Sequence, residues 1–174
     1  MIMQEAALPS EAKRLADAKG AQAPHPRAGE QMSGAEMVIE VLAQEGVDTV
    51  FGYSGGAILP TYDAVFRYNE RNRTQPAEEP MRLVVPANEQ GAGFMAAGYA
   101  RSSGKVGVFL VTSGPGATNT VTPIRDCMAD SIPVVAITGQ VPRSAMGTDA
   151  FQEAPVVNIM GACAKHVFLV TRPE

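Results

Sequence analysis

From residue 33 onward the chain alternates between two hydrophobic patterns. "SGAEMVIEVLAQEG" (33–46) spaces its apolar residues three and four apart, opens on Ser33 with Glu36 three positions later, and closes on Gly46. That is a capped amphipathic helix. "VDTVFGY" (47–53) reads as a strand and "GGAILPTYDAVFRYN" (55–69) as a loop entering a helix. "ERNRTQPAEEP" (70–80) has no apolar face and reads as a solvated connection. "RLVV" (82–85) is a short strand, followed by a helix whose first turns read Gly-Ala-Gly-Phe-Met-Ala-Ala-Gly from Gly91 to Gly98. "VGVFLVT" (106–112) and "IPVVAIT" (132–138) are continuous apolar strands that flank a helix begun at "SGPG", and "HVFLVT" (166–171) predicts a last strand.

Strands that are apolar on both faces and alternate with helices predict an α/β fold, a doubly wound, mainly parallel sheet with helices on both faces. Right-handed crossovers wind such a sheet, and ligands gather at the carboxyl ends of its strands. Four loops leave strands at that edge: "GYSGGA", "ANEQGA", "VTSGPGATN" and "TGQVP". Their convergence is the main pointer to a site.

Composition narrows the chemistry. At 174 residues, 45% hydrophobic and 18% charged, the chain supports one core. A net charge of −4 argues against nucleic acid as a partner, and no apolar run reaches the ~18 residues needed to span a bilayer. Cys127 and Cys163 lack CxxC spacing, which favours a reducing, cytoplasmic setting over a disulfide scaffold or thiolate zinc site. His25 and His166 have no neighbours at ligand spacing, so chemistry here runs without a His base or a protein-held transition metal. Residues 1–32 form a separate stretch with a possible helix from Pro9 to Lys19. Its acids balance its bases, unlike a targeting presequence, and it reads as a flexible extension ahead of a domain over 33–174.

Each candidate element has a plain structural explanation beside the functional one. "GYSGGA" (52–57) and "SGPGATN" (113–119) can hold an anion on backbone N–H groups, or can simply be tight strand-to-helix turns. Neither carries a P-loop ending or GxGxxG spacing. Glu89 can serve the dipole of the helix it opens. The apolar strand before it and the small residues after it also predict a buried carboxyl with a raised pKa, suited to acid–base work. "GTDAFQEAP" (147–155) falls on neither strand nor helix, and long irregular connections often carry function.

The stretches "GYSGGAILPTYDA", "NEQGAGFMAAGYARSSGKVGVFLVTSGPGATNTVTPIRDCMADSIPVVAITGQVP" and "MGTDAFQE" resemble the amino-terminal domain of the acetohydroxyacid (acetolactate) synthase family, enzymes that use thiamine diphosphate. The resemblance runs from Ser33 to Glu174. "SGPGATN" marks the wider group, and "GQVP" followed by "GTDAFQE" the narrower family. It implies that Glu89 hydrogen-bonds N1′ of the cofactor's aminopyrimidine, whose 4′ nitrogen then takes the proton from C2 of the thiazolium. It implies that Tyr53, Ser54, Gly55 and Gly56 lie near the thiazolium, and Thr112, Pro115 and Asn119 against the pyrimidine. Gln152 matches an active-site glutamine, and Ala57, Pro142 and Phe151 line the substrate channel. Ser131 matches a position that approaches a flavin not used for redox. Ser54 stands where Pro is usual, Ala87-Asn88 replaces Arg-His, and Ala97 replaces Asp.

The implied cofactors are thiamine diphosphate, with Mg²⁺ and FAD in the full enzyme. The implied substrates are pyruvate and a second 2-oxo acid such as 2-oxobutyrate. The implied assembly is a homodimer or tetramer, with a possible regulatory small subunit. Family members also carry a middle domain and a diphosphate-binding domain with a GDG…N motif, neither of which is present in this sequence. The chain alone is therefore expected to be inactive. Two other enzymatic or modular readings stay open: another thiamine diphosphate decarboxylase or carboligase, and a non-catalytic module completed by a partner chain. A simple anion-binding α/β domain is the third.

Overall fold

The computed structural model describes residues 25–73 and 80–171. Contacts divide the chain into two units, 1–31 and 32–174. Of the first, residues 25–31 are described; there the Arg27 guanidinium pairs with Glu30 at 2.6 Å. The expected helix from Pro9 to Lys19 lies outside the described residues, as do positions 74–79 of the solvated connection and 172–174.

The second unit winds as α1 (Gly34–Gln44), β1 (Thr49–Tyr53), α2 (Leu59–Asn72), β2 (Arg82–Val84), α3 (Glu89–Ser103) and β3 (Gly107–Val111). It continues through α4 (Pro115–Thr118), α5 (Val121–Ala129), β4 (Val134–Thr138) and α6 (Val156–Gly161). The four strands form one parallel sheet in the order β2-β1-β3-β4. The chain first steps from β1 out to β2, then crosses back over β1 to β3, so the winding reverses between β1 and β3.

Side chains alternate along each central strand and sort into two cores. Val50, Val108 and Leu110 face α1 and α2, packing with Ile39, Ile58, Tyr62, Val65 and Met81. Phe51, Phe109 and Val111 face the other way, against Ala92, Ala96, Ile124 and Met160. Each fully buried Val, Leu or Phe contributes about 1.5–3 kcal/mol. The doubly wound reading therefore holds, with helices on both faces.

Local signals explain the boundaries. Ser33 and Glu36 close a reciprocal capping box at α1, with Ser33 Oγ accepting from Glu36 N at 3.2 Å and Glu36 Oε2 accepting from Ser33 N at 2.8 Å. Asn88 caps α3 by accepting from Gly91 N at 2.7 Å, and Gly104 ends that helix in the left-handed region at φ 73°. Asn88 thus fills with a cap the place where the family resemblance expects His.

Three expectations are corrected. Residues 166–171 form no strand; the segment has no regular secondary structure, with Phe168 and Val170 more than four-fifths exposed. "RLVV" is an exposed edge rather than a buried strand, with Val85 just beyond β2 56% exposed, because among the described residues nothing pairs beyond β2. The helix expected after "SGPG" is two helices, broken at Asn119–Thr120, where the buried Thr120 hydroxyl donates to Ala117 O at 2.6 Å.

The small residues of α3 also serve an end other than an open approach for a ligand. A Cβ on Gly93 would lie 2.5 Å from the Pro123 ring of α5, and one on Gly107 of β3 would lie 2.2 Å from the Ala96 carbonyl. The helix is small so that it can close onto the sheet and onto α5. Arg101 seals that contact by reaching both Asp126 and Asp130.

Candidate cofactor site at the switch point of the sheet

The winding reverses between β1 and β3, and sheets wound this way bind ligands in the crevice beyond the carboxyl ends of their strands at that point. Tyr53 and Val111 are paired there, as the last residues of their strands. Each strand then enters a Gly-rich loop, and the loops pack on one another through close backbone approaches.

Thr112 is the centre of that packing. It is 5% exposed, and a Cβ on either Gly55 or Gly116 would lie 2.6 Å from its side chain. Its hydroxyl accepts from Ala57 N at 3.3 Å, tying the loop after β1 to the loop after β3. Gly139, leaving β4, donates to Val111 O at 2.8 Å, and a Cβ there would meet Ala57 at 2.7 Å. Gly114 sits at φ 48°, with the Gln152 carbonyl so close that a Cβ would collide with it at 2.1 Å. Most of the glycines therefore let loop pack on loop. Gly56 differs: it is exposed, and no atom lies within 4 Å of where its Cβ would stand.

Glu89 is the carboxylate of this edge. It begins α3 and is half-buried, not fully buried as the sequence suggests, because β2 beside it is an exposed edge. Its Oε2 accepts from Asn119 Nδ2 at 3.1 Å, and its Oε1 takes no hydrogen bond among the described residues. Oε1 faces the backbone of Gly116, 3.6 Å from the position a Cβ would take. One oxygen is thus held and the other is open, over a floor without a side chain.

These contacts join Gly55 and Ala57 to Thr112, Glu89 to Asn119, and Gln152 to the loop after β3. Tyr53, Ser54, Gly56 and Pro115 lie in or beside the same two loops. Pro142 and Phe151 lie on the 140–153 loop that follows β4, with Phe151 88% exposed. Ser131 does not join them. It turns the chain from α5 into β4 at φ 57°, at the amino end of a strand whose carboxyl end carries the site. Gly139, Asn88 and Glu153 order the loops and the helix start at this edge through backbone contacts, a part that the sequence pattern does not single out. The signal for Glu153 was an acid closing a loop rich in residues that tolerate positive φ. Among the described residues no group of three His, Cys, Asp or Glu side chains gathers to hold a metal.

Residues 32–161 match the family described as thiamine pyrophosphate enzyme, N-terminal TPP binding domain. The chain is 54% identical over 143 residues to the mitochondrial acetolactate synthase catalytic subunit of Saccharomyces cerevisiae, covering 82% of this chain and 19% of that protein. It is 50% identical over 143 residues to the large subunit of acetolactate synthase isozyme 2 of Escherichia coli, covering 82% of this chain and 24% of that protein. It is 49% identical over 141 residues to the chloroplastic acetolactate synthase of Arabidopsis thaliana, covering 81% of this chain and 20% of that protein. The chain thus spans about a fifth to a quarter of the length of these curated relatives.

Proposed function

We propose, from the premise that the chain belongs to the thiamine pyrophosphate enzymes as their N-terminal TPP binding domain, that it is the pyrimidine-binding part of an acetolactate synthase. The domain begins near residue 33, after an extension. The observation that carries the reading is the state of Glu89: a carboxylate with one oxygen held by Asn119 and the other open above Gly116, at the switch point of a parallel sheet.

Such a carboxylate fits a ring nitrogen that must gain and lose a proton. When bound, thiamine diphosphate supplies a thiazolium carbon that attacks a 2-oxo acid and stabilises the negative charge left by decarboxylation. Glu89 holds the proton at Oε1, while Asn119 keeps the carboxylate from rotating away. Thr112, packed against Gly55 and Gly116 and bonded to Ala57 N, fixes the two Gly-rich loops relative to each other. Tyr53 ends β1 and Pro115 opens α4 at the same edge, and we assign the open Gly56 to the reacting side.

The substrates in this reading are pyruvate and a second 2-oxo acid, pyruvate or 2-oxobutyrate, joined for branched-chain amino acid synthesis. Gln152 offers an amide to them, with Phe151, Pro142 and Ala57 along the channel. The diphosphate and Mg²⁺ fall to a GDG…N segment outside these 174 residues, in a homodimer or tetramer that a small subunit can regulate. FAD belongs to the same assembly, and Ser131 is the residue we assign toward it. We assign the cytoplasm as compartment, on two cysteines that remain free thiols. No helix among the described residues is long and apolar enough to cross a membrane.

Glu89→Gln in the full-length enzyme tests the reading. It keeps the shape and the Asn119 contact but removes the exchangeable carboxyl proton, so carboligation of pyruvate is expected to fall by about 10²–10⁴. Unchanged activity overturns the assignment. Product analysis with pyruvate and 2-oxobutyrate together separates acetolactate synthase from other enzymes of the same cofactor.

A further inference from the structure

We infer that Glu153 is a positioning residue: its carboxylate gathers the backbone N–H groups of the preceding loop and so holds Gln152 against the Gly-rich turn of the site. The inference rests on the reading above in one respect, that Gln152 serves the site.

The loop from Pro142 to Pro155 has little else to order it. Its only regular element is a single 3₁₀ turn, Arg143–Ala145. Three of its residues lie in the left-handed region: Gly147 at φ 78°, Asp149 at φ 57° and Gln152 at φ 58°. Two of these carry side chains, a conformation that persists only where the surroundings over-determine it. Apolar burial does not supply that constraint, because Phe151 at the tip is 88% exposed.

The Glu153 carboxylate does. Oε1 accepts from Gly147 N at 2.5 Å and Oε2 accepts from Ala150 N at 3.1 Å, while Glu153 N donates back to Ala150 O at 2.9 Å. Thr148 completes the turn by donating to Ala145 O from both its amide and its hydroxyl. Hydrogen bonds to an ionised acceptor are about twice as strong as neutral ones. The Gly147 N–H above all holds the Glu153 carboxyl below the usual carboxylate range; burial opposes it as the next largest effect, and the N–H groups of Ala150, Thr148 and Asp149 add smaller lowering contributions.

This clamp lies one residue from the point where the loop meets the site. The Gln152 carbonyl rests on the bare Cα of Gly114, where no side chain has room. Loop order at Gly147–Ala150 and side-chain placement at Gln152 are therefore one property, set by Glu153 from outside the crevice. An acid at 153 that touches neither cofactor nor substrate would nonetheless set how Gln152 meets them.

The test uses Glu153→Ala, Glu153→Gln, Gln152→Ala and the Glu153→Ala/Gln152→Ala double variant. Amide hydrogen exchange is followed on each, and pyruvate kinetics in the full-length protein. Glu153→Ala is expected to speed exchange at Gly147 and Ala150 about tenfold or more. It should also reproduce the KM-against-kcat pattern of Gln152→Ala. Glu153→Gln, which keeps a neutral acceptor, should recover part of both effects. The double variant should be no worse than Gln152→Ala alone, because both changes act through one side chain. Unchanged exchange in Glu153→Ala, or kinetic losses that simply add, overturns the inference. If exchange rises while Gln152→Ala is kinetically silent, the clamp is upheld and the assignment of Gln152 to the site is what fails.

Discussion

Gly93→Ala and Gly98→Ala together test why α3 is built from small residues. Both glycines lie inside the same helix, so both substitutions gain about 1 kcal/mol of helix propensity. They differ in what the new methyl meets. At Gly98 nothing lies within 4 Å. At Gly93 the methyl falls 2.5 and 2.7 Å from Pro123 Cγ and Cβ, with the Phe109 ring 3.7 Å away. Pro123 is fully buried and its ring cannot rotate aside, so the overlap must be relieved by moving α5 or α3. Overpacking of this kind costs about 1–3 kcal/mol. Gly98→Ala should therefore stabilise by ~0.5–1 kcal/mol, and Gly93→Ala should range from neutral to about 2 kcal/mol destabilising. The gap between the two isolates the clash, since propensity cancels. Urea unfolding read by circular dichroism, with equal m-values as the check on comparability, measures it. A difference of 1–3 kcal/mol corresponds to roughly 2–12 °C in Tm for a chain of this size. Equal stability of the two variants would refute the view that α3 is small in order to close onto α5.

Two further outcomes follow from the same packing. Tyr62 buries a hydroxyl that has no hydrogen-bond partner among the described residues, and burial pushes its pKa up to about 12. Tyr62→Phe removes that unmet donor and should raise stability by about 1 kcal/mol, seen as a higher urea midpoint; a loss of similar size would mean the hydroxyl is satisfied. Asp48, at the amino edge of the sheet, is held at a pKa of about 2, first by the Lys105 ammonium, then by the Thr49 and Tyr99 hydroxyls. Arg82 also lies at 4.0 Å. A depressed carboxyl pKa stabilises the fold above the unfolded value near 3.8 and ceases to do so as pH falls toward 2. With Lys105 half-exposed, screening limits the effect to about 1 kcal/mol. Asp48→Asn should lower stability at pH 7 and flatten the acid limb between about pH 4 and 2. An unchanged acid limb in urea titrations would show that the cluster contributes nothing.

What the sequence made legible was periodic or local. The capping box of α1, the helix end at Gly46, and the apolar runs of β1 and β3 each depend on a few neighbouring residues, and each is found as expected. Burial of edges was not legible, because it depends on what lies beside a strand. "RLVV" and "VGVFLVT" look alike as sequence, yet β2 has a neighbour on one side only while β3 is covered on both. "HVFLVT" has the residues of a strand but joins no sheet among the described residues. The same edge effect leaves Glu89 half-buried.

The site divides along similar lines. The sequence placed Gly-rich loops at one edge, but a glycine that admits a ligand and a glycine that admits another loop are identical in one dimension. Only the contacts of Thr112 with Gly55 and Gly116, of Gln152 with Gly114 and of Ala57 with Gly139 tell them apart, and they leave Gly56 as the open one. This distinction bears on where the chain can change without loss. A methyl at Gly55, Gly114 or Gly139 must displace another loop, and one at Gly116 must displace Thr112 of its own loop, so each would disturb the spacing of the crevice before any ligand arrived. A methyl at Gly56 displaces nothing in the protein, and its cost would be felt only by what binds. Ordinary folding with impaired binding is therefore the expected signature of Gly56→Ala, whereas the other four should show altered stability as well. If Gly56→Ala bound thiamine diphosphate and turned over pyruvate normally in the full-length enzyme, the reacting side of the crevice would have to lie elsewhere along this edge.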